Sequence, residues 1–140
     1  MSTGWATQAD HASRGSKRPS ILLIDDDPTY SRLAVRRLEL AGYQVAYHPG
    51  TFGVLDAVRR SAFDVILVDM MMPYIDGPRL LDLLRKRTIS GARLVLVSSA
   101  EEAELQTAAV SHGAYRHFCK RWGLDRLTEL VEAIASAKQR

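Results

Sequence analysis

Short, uninterrupted apolar runs recur along the chain, and each is followed by a longer amphipathic segment. Three of these runs, at residues 21–24, 65–68 and 94–97, contain no polar residue. A strand can be apolar throughout when both faces of its sheet are covered. Strand-like segments at 45–47 and 115–119 bring the number to five. The alternation predicts an α/β fold, in which a five-stranded parallel sheet carries helices on both faces.

The segments between the strands carry the signals of five helices. After the first strand, Asp27 and Pro28 suit the cap and first turn of a helix, and Gly42 suits its end. A turn at residues 49–51 is expected to lead into a helix through about residue 61. Further helices are expected at about residues 78–87 and 101–112, and apolar residues between 127 and 134 mark a closing helix. Right-handed crossovers leave few topologies for such a chain.

Length and composition suit one domain. The chain has 140 residues and a hydrophobic fraction of 46%, enough for a core without a disulfide or a structural metal. Cys119 is the single cysteine, which fits a reducing cytosol, and we expect a cytoplasmic location. Residues 1–19 are small and polar and lack the apolar core of a secretory signal. They are predicted to form a disordered tail before a domain at 20–140.

The charge pattern bears on possible partners. The net charge is +3, but the positive residues are scattered, mostly as isolated arginines, and form no basic stripe. Direct nucleic-acid binding is therefore not expected. No apolar run approaches the roughly 20 residues that span a bilayer, so no membrane association is expected either.

Five polar residues stand at or just after the ends of predicted strands: Asp25, Asp26, Asp69, Ser98 and Lys120. In an open parallel sheet the carboxyl ends of the strands share one edge, and ligands bind there at the point where the strand order reverses. We therefore expect these side chains to converge. Each alone has a simpler interpretation, such as a helix cap or a solvated lysine, and their common edge favours a site.

Converging carboxylates repel one another unless a proton or a cation relieves them. Mg2+ prefers oxygen ligands, so Asp26 and Asp69 are candidate ligands, with Asp25 supporting the ion through water. The ion would also neutralise an incoming phosphoryl group. Asp69 is the candidate nucleophile, because carboxylates form aspartyl phosphates. Ser98 could donate a hydrogen bond to one phosphoryl oxygen, and Lys120 could place its charge near another.

Four motifs in this order resemble the receiver domains of bacterial two-component response regulators. Residues 21–28 (ILLIDDDP) resemble the opening of that family, and residues 69–77 (DMMMPYIDG) match its D-x-x-M-P-x-x-D-G pattern at every fixed position. Residues 95–99 resemble the fourth strand with its Ser or Thr, and Lys120 stands where the family has a lysine. The resemblance covers about residues 20–138.

The resemblance implies a flavodoxin-like fold with strand order 2-1-3-4-5. It implies that Asp69 accepts a phosphoryl group from a histidine kinase. Asp25 and Asp26 would then bind Mg2+ with the backbone carbonyl of Met71, while Ser98 and Lys120 would contact the phosphoryl group. Ser98 would also act as the switch hydroxyl. The domain would be a signalling phosphoacceptor that catalyses only its own phosphorylation and dephosphorylation, rather than an enzyme.

The sequence departs from the family pattern at two positions. Arg121 follows Lys120 where the family usually has a proline in a cis linkage. Because a cis bond before a non-proline residue costs about 2.5 to 4 kcal/mol, we expect a trans bond and a reshaped loop. His117 stands at the position of the aromatic switch residue, where it is either a surface histidine or an imidazole that moves as the aromatic ring would.

Two methionines that follow Asp69 carry separate expectations. Met72 is expected to pack in the core. Met71 lies two positions after Asp69, and its apolar side chain is predicted to slow hydrolysis of the acyl phosphate.

Several functions remain open from the sequence. Because the chain ends just after the fifth helix, we expect output by contact with a target protein, through the face formed by the fourth helix, the fifth strand and the fifth helix. The alternatives in the same family are a phosphorelay intermediate, which passes phosphate to a histidine-phosphotransfer protein, and a non-phosphorylated pseudo-receiver that acts as a scaffold. A haloacid-dehalogenase-type phosphohydrolase would need a second Asp where this chain has Met71. An FMN-binding flavodoxin would need a phosphate-cradling loop where it has the acids 25–27.

Overall fold

A computed structural model of the protein describes residues 18–50, 53–87 and 91–139. In these residues, five parallel strands form one sheet in the order β2-β1-β3-β4-β5, and helices cover both faces. The strands are β1 (Ser20–Ile24), β2 (Gln44–His48), β3 (Val65–Asp69), β4 (Arg93–Ser98) and β5 (Arg116–Cys119). The helices are α1 (Pro28–Leu40), α2 (Val54–Arg60), α3 (Gly77–Arg87), α4 (Glu102–Ser111) and α5 (Leu124–Gln139). The predicted fold class and strand order are confirmed.

The central strands are apolar throughout because their alternate side chains enter two different cores. In β1, Ile21 and Leu23 pack towards α1 and α5, while Leu22 and Ile24 pack towards α2 and α3. All four are at most 1% exposed. Burying each such side chain contributes about 1.5 to 3 kcal/mol, so these runs hold the layers together.

The first helix begins as the sequence predicts. The Asp27 carboxylate accepts hydrogen bonds from the N–H groups of Thr29 and Tyr30, at 3.1 and 3.3 Å, and Pro28 occupies the first turn. Gly42, with φ of +104°, lies just after the helix end at Leu40. The cap at Asp27 thus begins α1 directly after the acids that follow β1.

The second helix is shorter than predicted. It spans Val54–Arg60, whereas the sequence predicts a helix that follows a turn at 49–51 and runs through about 61. Gly53 precedes the helix with φ of +91°, a left-handed conformation that helical residues do not adopt. Residues 51–52 of the predicted turn and helix lie outside the described residues. The end at Arg60 differs from prediction because Ser61 is already extended.

The predicted tail falls mostly outside the described residues, as does Trp5. Of residues 1–19, only Arg18 and Pro19 are described. The Arg18 guanidinium donates to the carbonyl oxygen of Tyr43 at 3.1 Å, and the carbonyl oxygen of Pro19 accepts from the N–H of Gln44 at 3.0 Å. These two residues thus contact the domain. In the part of the chain described, no helix is long and apolar enough to cross a membrane.

All five strands run in the same direction, so the sheet has two chemically different edges. At the carboxyl edge, where the strands end, lie Asp25, Asp69, Ser98 and Lys120. At the amino edge, where the strands begin, lie Arg93 and the loops that lead into β4 and β5. The predicted site residues therefore share one edge.

Candidate functional site

Three carboxylates meet at the carboxyl edge. Asp25 and Asp26 follow β1, and Asp69 ends β3. Because Ile24 pairs with Val68 across these neighbouring strands, the residues that follow each of them are also adjacent. One carboxylate oxygen from each of the three acids lies within 4.8 Å of the others. The predicted convergence of the acids therefore occurs in the fold.

Burial makes this cluster electrostatically costly. Asp25 is fully buried and Asp69 is 5% exposed, while Asp26 is half-buried. The Asp69 side chain retains 7% exposure and so borders solvent. Carboxylates out of water in such numbers require protons, cations or hydrogen-bond donors.

Lys120 supplies one of the required charges. Its Nζ lies 2.8 Å from Oδ2 of Asp25 and 3.5 Å from Oδ2 of Asp69. The residue follows β5, two strands from Asp69, and only 13% of its side chain is exposed. Its ammonium also lies 4.5 Å from the ring centroid of Tyr30 on α1. This cation–π contact keeps the lysine side chain beside that helix.

Backbone donors and one tyrosine fix the acids. Oδ1 of Asp25 accepts from the N–H of Asp27 at 2.8 Å, and Oδ1 of Asp69 accepts from the N–H of Met71 at 3.2 Å. The Tyr47 hydroxyl donates to the carbonyl oxygen of Asp25 at 2.8 Å. Oδ2 of Asp25 and of Asp69 therefore both face Lys120, while each Oδ1 is held by the local backbone.

The pKa values register the surplus of negative charge. Burial, and then the charge of Asp25, raise the pKa of Asp69 to about 7. Burial acts to lower the pKa of Lys120, but its contact with Asp25 and the charges of both acids outweigh burial and raise it. Burial and the same two carboxylates raise the pKa of the Tyr30 hydroxyl. The single positive charge of Lys120 therefore does not balance the charges of the three carboxylates.

The residues fit a divalent cation. Three carboxylates against one ammonium leave a formal charge of minus two, which one divalent ion would neutralise. The donors are carboxylate oxygens, which hard cations such as Mg2+ prefer. The structure fixes Met71 close to the cluster through its N–H, and the ligand role of its carbonyl oxygen stays a prediction.

Ser98 lies on the same edge at the end of β4. It is 1% exposed, and its Oγ accepts a hydrogen bond from the N–H of Ala100 at 2.9 Å. Its neighbour Val97 pairs with Asp69, which places β4 directly beside the acids. A hydroxyl that accepts one hydrogen bond keeps its proton for another acceptor. Ser98 can therefore still act as a donor.

His117 is separate from the acid cluster. It lies on β5 with 22% of its side chain exposed, and its ring centroid is 5.8 Å from that of Trp122. Its Nε2 is buried without a hydrogen bond, and the nearest carboxylate oxygen, of Glu102 on α4, is 3.7 Å away. His117 thus packs between α4 and the turn before α5, and a switching role stays a prediction.

The segment after Lys120 agrees with the expected departure from the family. No cis peptide bond occurs among the described residues, so the Lys120–Arg121 bond is trans. Lys120–Trp122 forms a 3-10 turn that leads into α5. Trp122 packs edge-on against Phe118, with centroids 5.4 Å apart, and the Arg121 guanidinium donates to the carbonyl oxygen of Ala100 at 3.4 Å.

Three further residues shape the site, and sequence reasoning gave them no role: Tyr30, Tyr47 and Gly77. A Cβ on Gly77 would collide with the Asp69 carbonyl oxygen and come within 2.6 Å of the Met70 Cα. The loop closes this tightly because the N–H of Gly77 donates to the Met70 carbonyl oxygen at 2.9 Å. The glycine was visible in the 69–77 motif, but only the folded loop explains it.

Met71 and Met72, which follow Asp69, differ in their exposure to solvent. Met72 is buried in the core, with 8% exposure, which confirms its predicted packing. Met71 is 65% exposed beside the site.

The chain resembles known proteins over most of its length. The sequence profile described as "Response regulator receiver domain" matches residues 21–132. The chain belongs to this family. Receiver domains accept phosphoryl groups in two-component signalling and generally bind Mg2+ at an acidic pocket. Transcriptional regulators and sensor proteins are both among the relatives of this receiver.

Two relatives and one solved structure illustrate the similarity. The transcriptional activator protein PfeR of Pseudomonas aeruginosa is 29% identical over 91% of this chain and 41% of its own length. The nisin biosynthesis regulatory protein NisR of Lactococcus lactis is 32% identical over 86% of this chain and 52% of its own. The receiver domain of the Francisella response regulator 1452 superposes with a TM-score of 0.78 at 25% identity, covering 86% of this chain and 99% of that one. The chain thus spans about half the length of PfeR and NisR, but almost the whole of the Francisella receiver domain.

Proposed function

We propose that this receiver accepts a phosphoryl group on Asp69 from the phosphohistidine of a histidine kinase or a histidine-phosphotransfer protein. The proposal is supported above all by the cluster in which Asp25, Asp26 and Asp69 lie within 4.8 Å of one another beside Lys120. An isolated capping acid or a solvated lysine would need none of these contacts. Family membership adds that such pockets receive phosphoryl groups.

In the proposed reaction a carboxylate oxygen of Asp69 attacks phosphorus, and the phosphorus–nitrogen bond to the imidazole breaks. The electron pair of that bond leaves on the imidazole nitrogen, so a neutral histidine departs from a protonated phosphohistidine, and an acyl phosphate forms on Asp69. Oδ2 is the oxygen best supported as the nucleophile, because Oδ1 already accepts from the N–H of Met71. The Lys120 ammonium, 3.5 Å from Oδ2, would then contact a phosphoryl oxygen.

Mg2+ is the proposed cofactor, held by Asp25, Asp26 and Asp69 with the backbone carbonyl of Met71. When bound, it would neutralise charge on the incoming phosphoryl group. The residues of the chain do the rest: Lys120 and the Ser98 hydroxyl contact phosphoryl oxygens, and the N–H of Met71 keeps the Asp69 carboxylate oriented.

The proposed output is a change in a protein-binding face formed by α4, β5 and α5. Ser98 ends β4 and bonds to Ala100, just before α4, so a new acceptor for its hydroxyl would pull on that segment. His117 lies on the same face between Glu102 and Trp122. The downstream partner is proposed to be a protein rather than a nucleic acid, and the compartment is proposed to be the cytoplasm.

Intact-protein mass spectrometry tests the proposal. The purified chain is incubated with phosphoramidate or acetyl phosphate and Mg2+, and we expect a gain of one phosphoryl mass. Asp69→Asn and an excess of chelator should each prevent the gain, whereas Asp56→Asn, which alters an exposed acid on α2, should leave it intact. A full-length, folded chain that takes no phosphoryl group under these conditions would identify a pseudo-receiver and contradict the proposal.

A further inference from the structure

A second candidate ligand site lies at the amino edge of the sheet, remote from the acid cluster. A cavity of about 300 Å³ opens there between the start of β4 and the loop that leads into β5. Its lining includes Arg85, Arg93 and Tyr115, together with Gly91 and Gly113. A volume near 300 Å³ is at the small end of ligand sites.

Positive charge is concentrated around this cavity. Arg85 and Arg93 line it, and Arg116, which is outside the lining, stacks on the ring of Tyr115, which is part of it. The guanidinium carbons of Arg93 and Arg116 lie 4.6 and 4.9 Å from the centroid of the Tyr115 ring. Stacking on an aromatic ring orients a guanidinium while leaving its N–H groups free to donate. The ring therefore orients the guanidinium of Arg93, which lines the cavity, and that of its neighbour Arg116.

These arginines lack the carboxylate partners that others have. Arg37 and Arg59 pair with Asp125 and Asp56, but among the described residues no ion pair joins an Asp or Glu to Arg85 or Arg93, which line the cavity, or to Arg116. The Arg85 guanidinium donates to the carbonyl oxygen of His112 at 3.2 Å, and Arg116 donates to that of Tyr115 at 3.4 Å.

Arg93 has the least satisfied polar group of the three. Its Nε is buried and has no hydrogen-bond partner. Most buried N–H groups in proteins are paired, and leaving one unpaired is costly. The guanidinium of Arg93 therefore lacks an acceptor for one of its N–H groups among the described residues.

Gly113 allows the arrangement. It has φ of +71°, and a Cβ there would lie 2.7 to 3.0 Å from the guanidinium atoms of Arg85. Glycine at this position therefore lets the Arg85 side chain lie across the loop at the wall of the cavity. A larger residue would displace the guanidinium.

We propose that this cavity binds a small phosphorylated anion of about the size of a diphosphate. Guanidinium forks match phosphoryl oxygens in geometry, and a multiply charged anion complements the two lining guanidiniums of Arg85 and Arg93 better than a single carboxylate does. The site needs no divalent ion and lies at the opposite edge from Asp69. It is independent of the proposed phosphoryl transfer.

Nuclear magnetic resonance with inorganic pyrophosphate as the probe tests the site. The titration uses 15N-labelled full-length chain without divalent cations, and we expect saturable shifts at the amides of Ala92, Leu94, Gly113 and Tyr115. Arg93→Gln should weaken binding about tenfold or more, as expected for the loss of one charge-assisted donor. Arg126→Gln is the matched control, because Arg126 also stacks on an aromatic ring, Trp122, but far from the cavity. It should change affinity by less than about twofold.

The remaining arms separate the alternatives. Arg85→Gln, at an exposed position, replaces Arg93→Gln if the latter does not fold, and it should also weaken binding. Orthophosphate should bind more weakly than pyrophosphate at the same amides. The proposal is overturned if no shift saturates, if Arg126→Gln weakens binding equally, or if the shifts lie at Asp25 and Lys120 instead. A single-stranded oligonucleotide that outcompetes pyrophosphate would overturn it in favour of nucleic-acid binding.

Discussion

The two edges of the sheet carry opposite charge and differ in burial. At the carboxyl edge, Asp25 and Asp69 are at most 5% exposed and share one lysine. At the amino edge, the guanidinium of Arg85 belongs to an exposed residue and reaches the end of α4 at His112. Both signs follow the helix dipoles, since helices begin near the first edge and end near the second. The dipoles thus favour the sign of charge that is found at each edge.

Burial is what separates a charged edge from a reactive one. A single acid such as Asp27 suffices to cap α1, and it is exposed. Asp25, Asp26 and Asp69 exceed the needs of the helix, and their burial raises the energy of the folded protein until a cation or proton arrives. The buried acids of the carboxyl edge thus destabilise the fold but form a candidate site. At the amino edge, Arg85 remains exposed to water and causes no such loss.

A pair of glycines gives the largest expected contrast between the edges. Gly77→Ala forces a Cβ against the Asp69 carbonyl, and we expect a loss of about 3 kcal/mol in the free energy of unfolding. Gly91→Ala, at the amino edge, meets nothing within 4 Å and bears only the strain of φ at +76°, about 1 kcal/mol. Urea unfolding measures both. Equal losses would mean that the loop after Asp69 is no tighter than the loop before β4.

Removing a cation should cost more at the carboxyl edge than at the amino edge. Lys120→Met leaves Asp25 buried without its ion pair, and we expect a loss of about 2 to 3 kcal/mol in magnesium-free buffer. Arg85→Gln should cost less than about 0.5 kcal/mol, because its side chain is exposed. Chemical unfolding of both variants, repeated with Mg2+, is the measurement. A loss no larger for Lys120→Met than for Arg85→Gln would contradict the electrostatic account.

Removing an acid should change the free energy of unfolding in opposite directions at Asp69 and at Asp82. The pKa of Asp69 is raised from 3.8 to about 7, so between these values the folded state binds more protons than the unfolded state, and stability falls as pH rises. Asp69→Asn removes this loss, and with chelator present we expect it to stabilise the protein by about 1 to 2 kcal/mol at pH 8 and little at pH 4.

Asp82→Asn is the comparison for this experiment. Asp82 contacts Nδ1 of His112 at 3.0 Å, so its loss should destabilise the protein, by about 0.5 kcal/mol because the pair is partly exposed. Thermal unfolding across the pH range reports both variants. Destabilisation by Asp69→Asn at pH 8 would show that the acids do not strain one another.

The smallest effect on stability is expected at Met71, which is exposed although it borders the acids. Met71→Asn should change the free energy of unfolding by less than about 0.5 kcal/mol. It should shorten the lifetime of the phosphorylated form, because an amide admits and orients water where a thioether excludes it. Mass spectrometry over time follows the decay, with Met71→Leu as the apolar control. An unaltered lifetime in Met71→Asn would end the hypothesis.

The sequence predicted the fold because the strands are coded locally. Runs such as residues 65–68 need only their own composition to be recognised as strands covered on both faces, and their order along the chain places Asp25, Asp69 and Lys120 at one edge. The start of α2 at Val54 was not predicted, because it depends on the left-handed conformation of Gly53, which no apolar pattern encodes.

The parts of the site that escaped prediction depend on contacts between distant segments. Tyr30 contacts Lys120 across ninety positions of the chain, and Tyr47 reaches the carbonyl of Asp25 from the neighbouring strand. The cavity at the amino edge joins Arg85 and Arg93 to Tyr115 in the same way. Isolated arginines and tyrosines give no sequence signal of such contacts. The positive charge is scattered along the sequence, and only the fold brings Arg85 and Arg93 together.

A crystal structure of the chain with Mg2+ and beryllium trifluoride, which mimics a phosphoryl group on a carboxylate, tests the central claim most directly. We expect the metal to be bound by Asp25, Asp26 and Asp69. We expect the beryllium trifluoride to be attached to an oxygen of Asp69 and to contact Lys120 and Ser98. The claim would be contradicted if Asp69 carried no beryllium trifluoride, or if the metal were bound elsewhere while the three acids pointed apart.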